Sequence, residues 1–143
     1  MFYLDTSVIA PAFVREARSD AILDWLSQQS NDALHLSAWA AAELVSIMGR
    51  RVRQSEMSSR DADDMLAAFD HWRNDNCVPL GVGKEDIERA AMLTRHYESG
   101  LRAADALHLS LAERHSGLVL LTYDEGLLKA AQIFGLRAEY GPM

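Results

Sequence analysis

The stretch Leu101-Arg-Ala-Ala-Asp-Ala-Leu-His-Leu109 decides how the rest of the chain is read. Ala and Leu dominate it, and no Gly or Pro follows until Gly117, so it predicts a helix from Leu101 to about His115. Asp105 sits in its middle, with Leu101 four residues before and Leu109 four residues after. Neighbours at that spacing share a helix face. A carboxylate interrupting an apolar stripe costs free energy unless something cationic meets it. Arg102, one turn back, is one candidate and a bound metal is another.

Outward from this helix the pattern alternates. Upstream, Gly100 ends a predicted helix over Lys84–Ser99, with Ile87, Ala90, Ala91 and Leu93 inward. Downstream, Leu118–Thr122 is the most strand-like run in the sequence. Tyr123-Asp124 then lead into a helix through Phe134, Gly135 closes it, and Leu136–Glu139 forms a last short strand. The amino-terminal half behaves alike. Phe2-Tyr-Leu4 is a short buried strand ending at Asp5-Thr6-Ser7, where Ser7 or Asp5 N-caps a helix over Val8–Val14 that contains Pro11. Asp20–Gln29 is helical. Ala33–Ser37 is a second strand, and Ser37 caps a helix from Ala38 to about Arg53 whose stripe is Trp39, Glu43 and Ile47. Ser58 caps the next helix, to about Asn74. Its Met65, Leu66, Phe69 and Trp72 read as a core stripe or, less simply, a dimer seam. Cys77–Leu80 is a third strand, and Pro79 places it at an edge. Strands alternating with helices predict a three-layer α/β/α sandwich on a central, mainly parallel sheet, a single domain over 1–143.

Composition narrows the function. With 143 residues, 49% of them hydrophobic, the chain can bury a full core. One cysteine, Cys77, excludes an internal disulfide framework and a cysteine-based zinc site, and fits a reducing cytoplasm. No signal-peptide pattern opens the sequence, and no apolar run approaches the ~20 residues that span a bilayer. The net charge of −7 argues against broad electrostatic binding of nucleic acid. That objection weakens if several acids are neutralised by metal, because two local basic clusters, Arg50/Arg51/Arg53 and Arg15/Arg18, could then meet phosphates.

Four acids occupy unusual places. Asp5 follows a strand directly and Asp124 lies two residues past another. Ligands of open parallel sheets bind outside the carboxyl ends of strands. Helix capping is the plain alternative for Asp5. For Asp124, Thr122 and Glu125 make a T-x-x-E capping box that leaves it a first-turn charge. Glu43 has Trp39 and Ile47 at i±4 and no basic partner on its helix, so it is either directed at a ligand or an exposed Glu beside a wide stripe. Asp105 is either a ligand or the partner of Arg102. Convergence of all four would suit Mg²⁺ or Mn²⁺, hard cations that take oxygen ligands and position a water for attack on a phosphodiester. His108, one turn beyond Asp105, reads as a packed or surface residue that could touch it. The five histidines form no zinc pattern, and there is no G-x-S-x-G, Walker loop or G-x-G-x-x-G.

Together, Asp5-Thr6-Ser7, Glu43 on an early helix, Leu101-Arg-Ala-Ala-Asp105-Ala-Leu-His-Leu109, and Thr122-x-Asp124-x-x-Leu127 followed by Ala130-Ala131 and Gly135 resemble a PIN domain. More narrowly, the chain is similar to the VapC-type toxins of bacterial and archaeal toxin–antitoxin pairs, over its whole length. The resemblance implies a metal-dependent endoribonuclease that binds Mg²⁺ or Mn²⁺, cleaves single-stranded regions of RNA and leaves a 5′-phosphate. It assigns the metal quartet to Asp5, Glu43, Asp105 and Asp124. Thr6 or Ser7, and Thr122, become hydroxyls that orient carboxylates or water. Arg50, Arg51, Arg53 and Arg102 are candidate RNA phosphate contacts. The resemblance further implies a homodimer, a cognate antitoxin whose tail enters the cleft, and a cytoplasmic location. Two other readings remain: a non-catalytic RNA-binding module of the same fold, and a phosphatase using Asp5, which lacks the second Asp of a D-x-D-x-T signature.

Overall fold

A computed structural model describes residues 1–143. Five strands form one sheet: β1 (Phe2–Leu4), β2 (Leu34–Ser37), β3 (Val78–Leu80), β4 (Val119–Thr122) and β5 (Ala138–Tyr140). Their order is β3-β2-β1-β4-β5 and every pairing is parallel. β1 is central, and the strand order reverses between β1 and β4. A crevice therefore opens at their carboxyl ends. β3 is an edge strand, as Pro79 requires.

Period-two alternation sends side chains to two helical layers. Leu4, Leu34, Leu36 and Leu121 meet helices α1 (Thr6–Phe13), α2 (Ser19–Ser27), α3 (Ala38–Arg53) and α4 (Ser59–Asn76). Tyr3 and Leu120 meet α5 (Lys84–Leu93), α6 (Ala103–Arg114) and α7 (Glu125–Ile133) on the other face. The α4 stripe lies in the first layer, where Phe69 is buried and packs edge-on against Phe13. Ser37 and Ser58 cap α3 and α4 as expected, accepting from Ala40 and Asp61 N–H.

Several boundaries differ from the sequence reading. α1 begins at Thr6, not Val8. Asp5 holds its N-cap position, yet its side chain makes no capping bond. The helix expected over Lys84–Ser99 ends at Leu93, and a single 3₁₀ turn, Tyr97–Ser99, precedes Gly100 at φ 66°. Its phase is also shifted: Ile87 is 59% exposed and Ala91 is exposed, while Asp86 turns inward. Asp86 accepts from Gly83 N–H and pairs with Arg114, so a polar residue takes the position that the apolar count gave to Ile87. α6 starts at Ala103 rather than Leu101, and β5 at Ala138 rather than Leu136. No helix is long and apolar enough to cross a membrane.

Candidate metal centre

β1 ends at Leu4, and Asp5 N–H donates to Leu121 C=O, which holds Asp5 against β4 at the mouth of the crevice. α3 buries Ala40, Leu44 and Met48 in the core, which leaves Glu43 and Ile47 on the flank facing the crevice. α6 contributes Asp105 from its first turn, and Asp124 N-caps α7. All four acids line one open cavity of about 310 Å³, with Thr6, Ser7, Ser46, Ile47 and His108. A second cavity of about 260 Å³, beside β3, holds Arg73 and Cys77 but no carboxylate, so it offers no hard-cation chemistry.

Three hydroxyls hold the acids. Ser7 Oγ and Thr122 Oγ1 both donate to Asp5 Oδ2, the latter at 2.7 Å. Ser7 Oγ in turn accepts from Tyr123 N–H at 2.9 Å, and Thr122 Oγ1 from Asp124 N–H at 2.9 Å. Thr6 Oγ1 donates to Glu43 Oε2. Thr122 is thus spent on Asp5, and the capping box expected between Thr122 and Glu125 does not form. Asp124 is itself the cap, accepting from Leu127 N–H at 2.9 Å through Oδ1. The salt bridge weighed for Arg102 and Asp105 is also absent. Arg102 is exposed at the α6 N-cap, and Asp105 receives no hydrogen bond from the protein.

His108 is the residue whose role the sequence reading missed. It is 1% exposed, and its Nε2 lies 2.7 Å from Glu43 Oε2 and 3.2 Å from Asp5 Oδ1, while Nδ1 lies 2.6 Å from the Tyr3 hydroxyl. Asp5, Glu43 and His108 present ligand-type atoms within 4.8 Å of one another. The available signal was the phenol of Tyr3 in a buried strand, which needs a polar partner.

Burial and crowding together set the electrostatics. The Asp105 carboxyl is pushed above its usual range by burial first, then by Asp124; His108 opposes this, and Asp5 and Glu43 add to it. Burial pulls the His108 pKa down, but the hydrogen bond with Glu43 and the charges of Asp5, Glu43 and Asp105 outweigh it, so the net shift is upward.

Among the basic residues, Arg51 pairs with Glu16 and Glu56, and Arg15 with Asp20. Arg18 lies over the Tyr123 ring at 4.5 Å. Arg50, Arg53 and Arg102 are exposed.

The PIN domain family model matches residues 2–133, and the chain belongs to that family. It is 27% identical over 141 residues to Ribonuclease VapC35 of Mycobacterium tuberculosis, covering 95% of this chain and 93% of that protein. Among solved structures it resembles M. tuberculosis VapC20, a Sarcin-Ricin loop cleaving toxin, with TM-score 0.71 and 20% identity over 91% of this chain and 95% of that one. VapBC2 from Rickettsia felis, bound to a DNA fragment from its promoter, gives TM-score 0.70 at 18% identity, covering 98% of each chain.

Proposed function

We propose that this protein is a metal-dependent endoribonuclease acting as the toxin of a toxin–antitoxin pair. One observation carries the reading: acids from the end of β1, from α3 and α6 and from the start of α7 line a single cavity, and Glu43, Asp105 and Asp124 each keep an oxygen clear of protein donors. Those oxygens are Glu43 Oε1, both of Asp105, and Asp124 Oδ2, while Asp5 Oδ1 faces the cavity with His108 Nε2 as its one protein neighbour. An all-oxygen donor set with room for water fits Mg²⁺ or Mn²⁺. When bound, the ion supplies a water of lowered pKa and positive charge against the phosphodiester.

Asp5, Glu43, Asp105 and Asp124 hold the ion in this reading. Thr122 and Ser7 fix the orientation of Asp5, and Thr6 that of Glu43. Burial and the neighbouring acids push Asp105 toward its protonated form, and a divalent cation would relieve that strain while keeping the charge. Exposed Arg50, Arg53 and Arg102 are the cations free to take RNA phosphates; Arg51 serves less well, being held by two glutamates. Water attack at phosphorus breaks the P–O3′ bond and leaves a 5′-phosphate and a 3′-hydroxyl.

An antitoxin partner, a homodimer and a cytoplasmic site of action belong to the same reading. The first draws support from the toxin–antitoxin nature of relatives such as VapBC2. The test is RNA cleavage by purified protein with Mg²⁺, with EDTA, and by Asp105→Asn. Cleavage that needs Mg²⁺ and Asp105 is expected. Equal cutting by wild type and variant would defeat the enzyme reading, and RNA binding without cutting by either would favour the non-catalytic module.

A further inference from the structure

The bonds behind His108 form a chain that reaches the opposite face of its ring. Ser37 Oγ accepts from Ala40 N–H at 3.0 Å as the cap of α3. Ser37 is 1% exposed, and its own hydroxyl proton has one acceptor in reach, the Tyr3 oxygen at 3.0 Å. Tyr3 is fully buried, so its proton must also find a partner, and the remaining one is His108 Nδ1 at 2.6 Å. A neutral imidazole accepting at Nδ1 carries its proton at Nε2, which faces Glu43 Oε2 and Asp5 Oδ1.

The reverse direction fails at both ends. Nδ1–H donating to Tyr3, and Tyr3 to Ser37, would leave the Ser37 proton buried without an acceptor. It would also set the bare Nε2 lone pair against two carboxylate oxygens. The distinction matters because a histidine in such a cluster has two possible roles. A metal-ligating imidazole offers a bare nitrogen to the ion and donates through the other. Here the donor direction is set from behind, by a helix cap.

We infer that, with the ring neutral, the Ser37–Tyr3–His108 chain runs one way and ends as a shared Nε2–H donor to Glu43 and Asp5, so that His108 is a positioning residue for these two carboxylates and not a metal ligand. The inference rests on the nuclease reading for its functional meaning. Its physical content is independent: His108 bridges β1 to α3 from α6 and keeps Glu43 Oε1 directed away from the occupied oxygen. Burial raises the Tyr3 pKa above that of an ordinary phenol, which favours its keeping the donor proton.

Long-range ¹H–¹⁵N correlation spectra of the imidazole in the Mg²⁺-loaded protein, at a pH alkaline enough to keep the ring neutral, test the direction. A protonated Nε2 and a bare, hydrogen-bonded Nδ1 are expected; a protonated Nδ1 overturns the inference. In Tyr3→Phe the Nδ1 resonance should move and Mn²⁺ affinity should fall about 10–100-fold. RNA cleavage should fall through kcat with KM kept. An unmoved Nδ1 resonance in that variant also overturns it, and if the variant does not fold, the wild-type spectrum decides alone. Wild-type protein that cuts no RNA would defeat the nuclease reading while leaving the spectrum to judge the chain.

Discussion

Histidine occurs at both ends of the sheet, and burial acts on it in the same sense at both. At the carboxyl end, deeply buried His108 nonetheless has its pKa raised, because Glu43, Asp5 and Asp105 surround it. At the amino end, His35 on β2 and His115 after α6 are only partly buried, and theirs are lowered. Burial leads in both. For His35, the nearby Ala33 backbone favours the charged ring without offsetting burial, and His115 adds repulsion; for His115, Arg114 adds to the fall. His35 Nδ1 and His115 Nε2 make no hydrogen bond within the protein. One end of the sheet therefore concentrates unmet negative charge, and the other merely tolerates poorly solvated bases. Depth does not decide the sign of a shift; the local density of acids does.

The largest expected effect of breaking this contrast is at Asp105. Asp105→Asn should lower RNA cleavage by about a hundredfold or more, while His115→Gln leaves the rate unchanged, measured on one RNA with Mg²⁺. Next comes Thr122→Val, which removes one of the two hydroxyls on Asp5 Oδ2. A loss of about 10–100-fold in activity is expected, with an ordinary circular-dichroism spectrum.

Stability should move the other way. A carboxyl whose folded pKa is raised destabilises the metal-free fold once the pH exceeds its unfolded value. Asp105→Asn should therefore raise the melting temperature in EDTA at neutral pH, and saturating Mg²⁺ should erase the gain.

The smallest effect is the sharpest. The raised His108 contributes stability below the ordinary value of 6.5, lost as pH rises through its folded pKa. The lowered His35 and His115 cost stability as pH falls through that same value. Melts of metal-free protein between about pH 5 and 8 should show His108→Gln losing most at the acid end. His115→Gln should instead recover stability there. Parallel slopes would show that the acids do not govern His108.

The strands were readable because their side-chain alternation is local. Leu34 and Leu36 face one layer and Leu4 joins them, as period two demands. The acids were readable as anomalies, each out of keeping with its own helix or turn. The α5 phase was not, because Ile87 counts as apolar in any window while its true inward residue, Asp86, is satisfied by Arg114 from another helix. Thr122 misled for a related reason: its hydroxyl suits a helix cap, and a partner 117 residues away claims it. His108 was the hardest, since Tyr3 and Glu43 lie 105 and 65 residues from it. Sequence spacing reveals who shares a helix face, not who meets across a sheet.

The central position of β1 bears on synthesis. Of its two flanking strands, β2 follows at Leu34–Ser37, whereas β4 comes only at Val119–Thr122. A nascent chain stalled short of Val119 has Asp5 but neither Thr122 to orient it nor Asp124 opposite it. Without β4 and the turn that follows it, the cavity lacks one of its four acids and Asp5 keeps only Ser7 to hold it, so no amino-terminal piece can assemble the site alone.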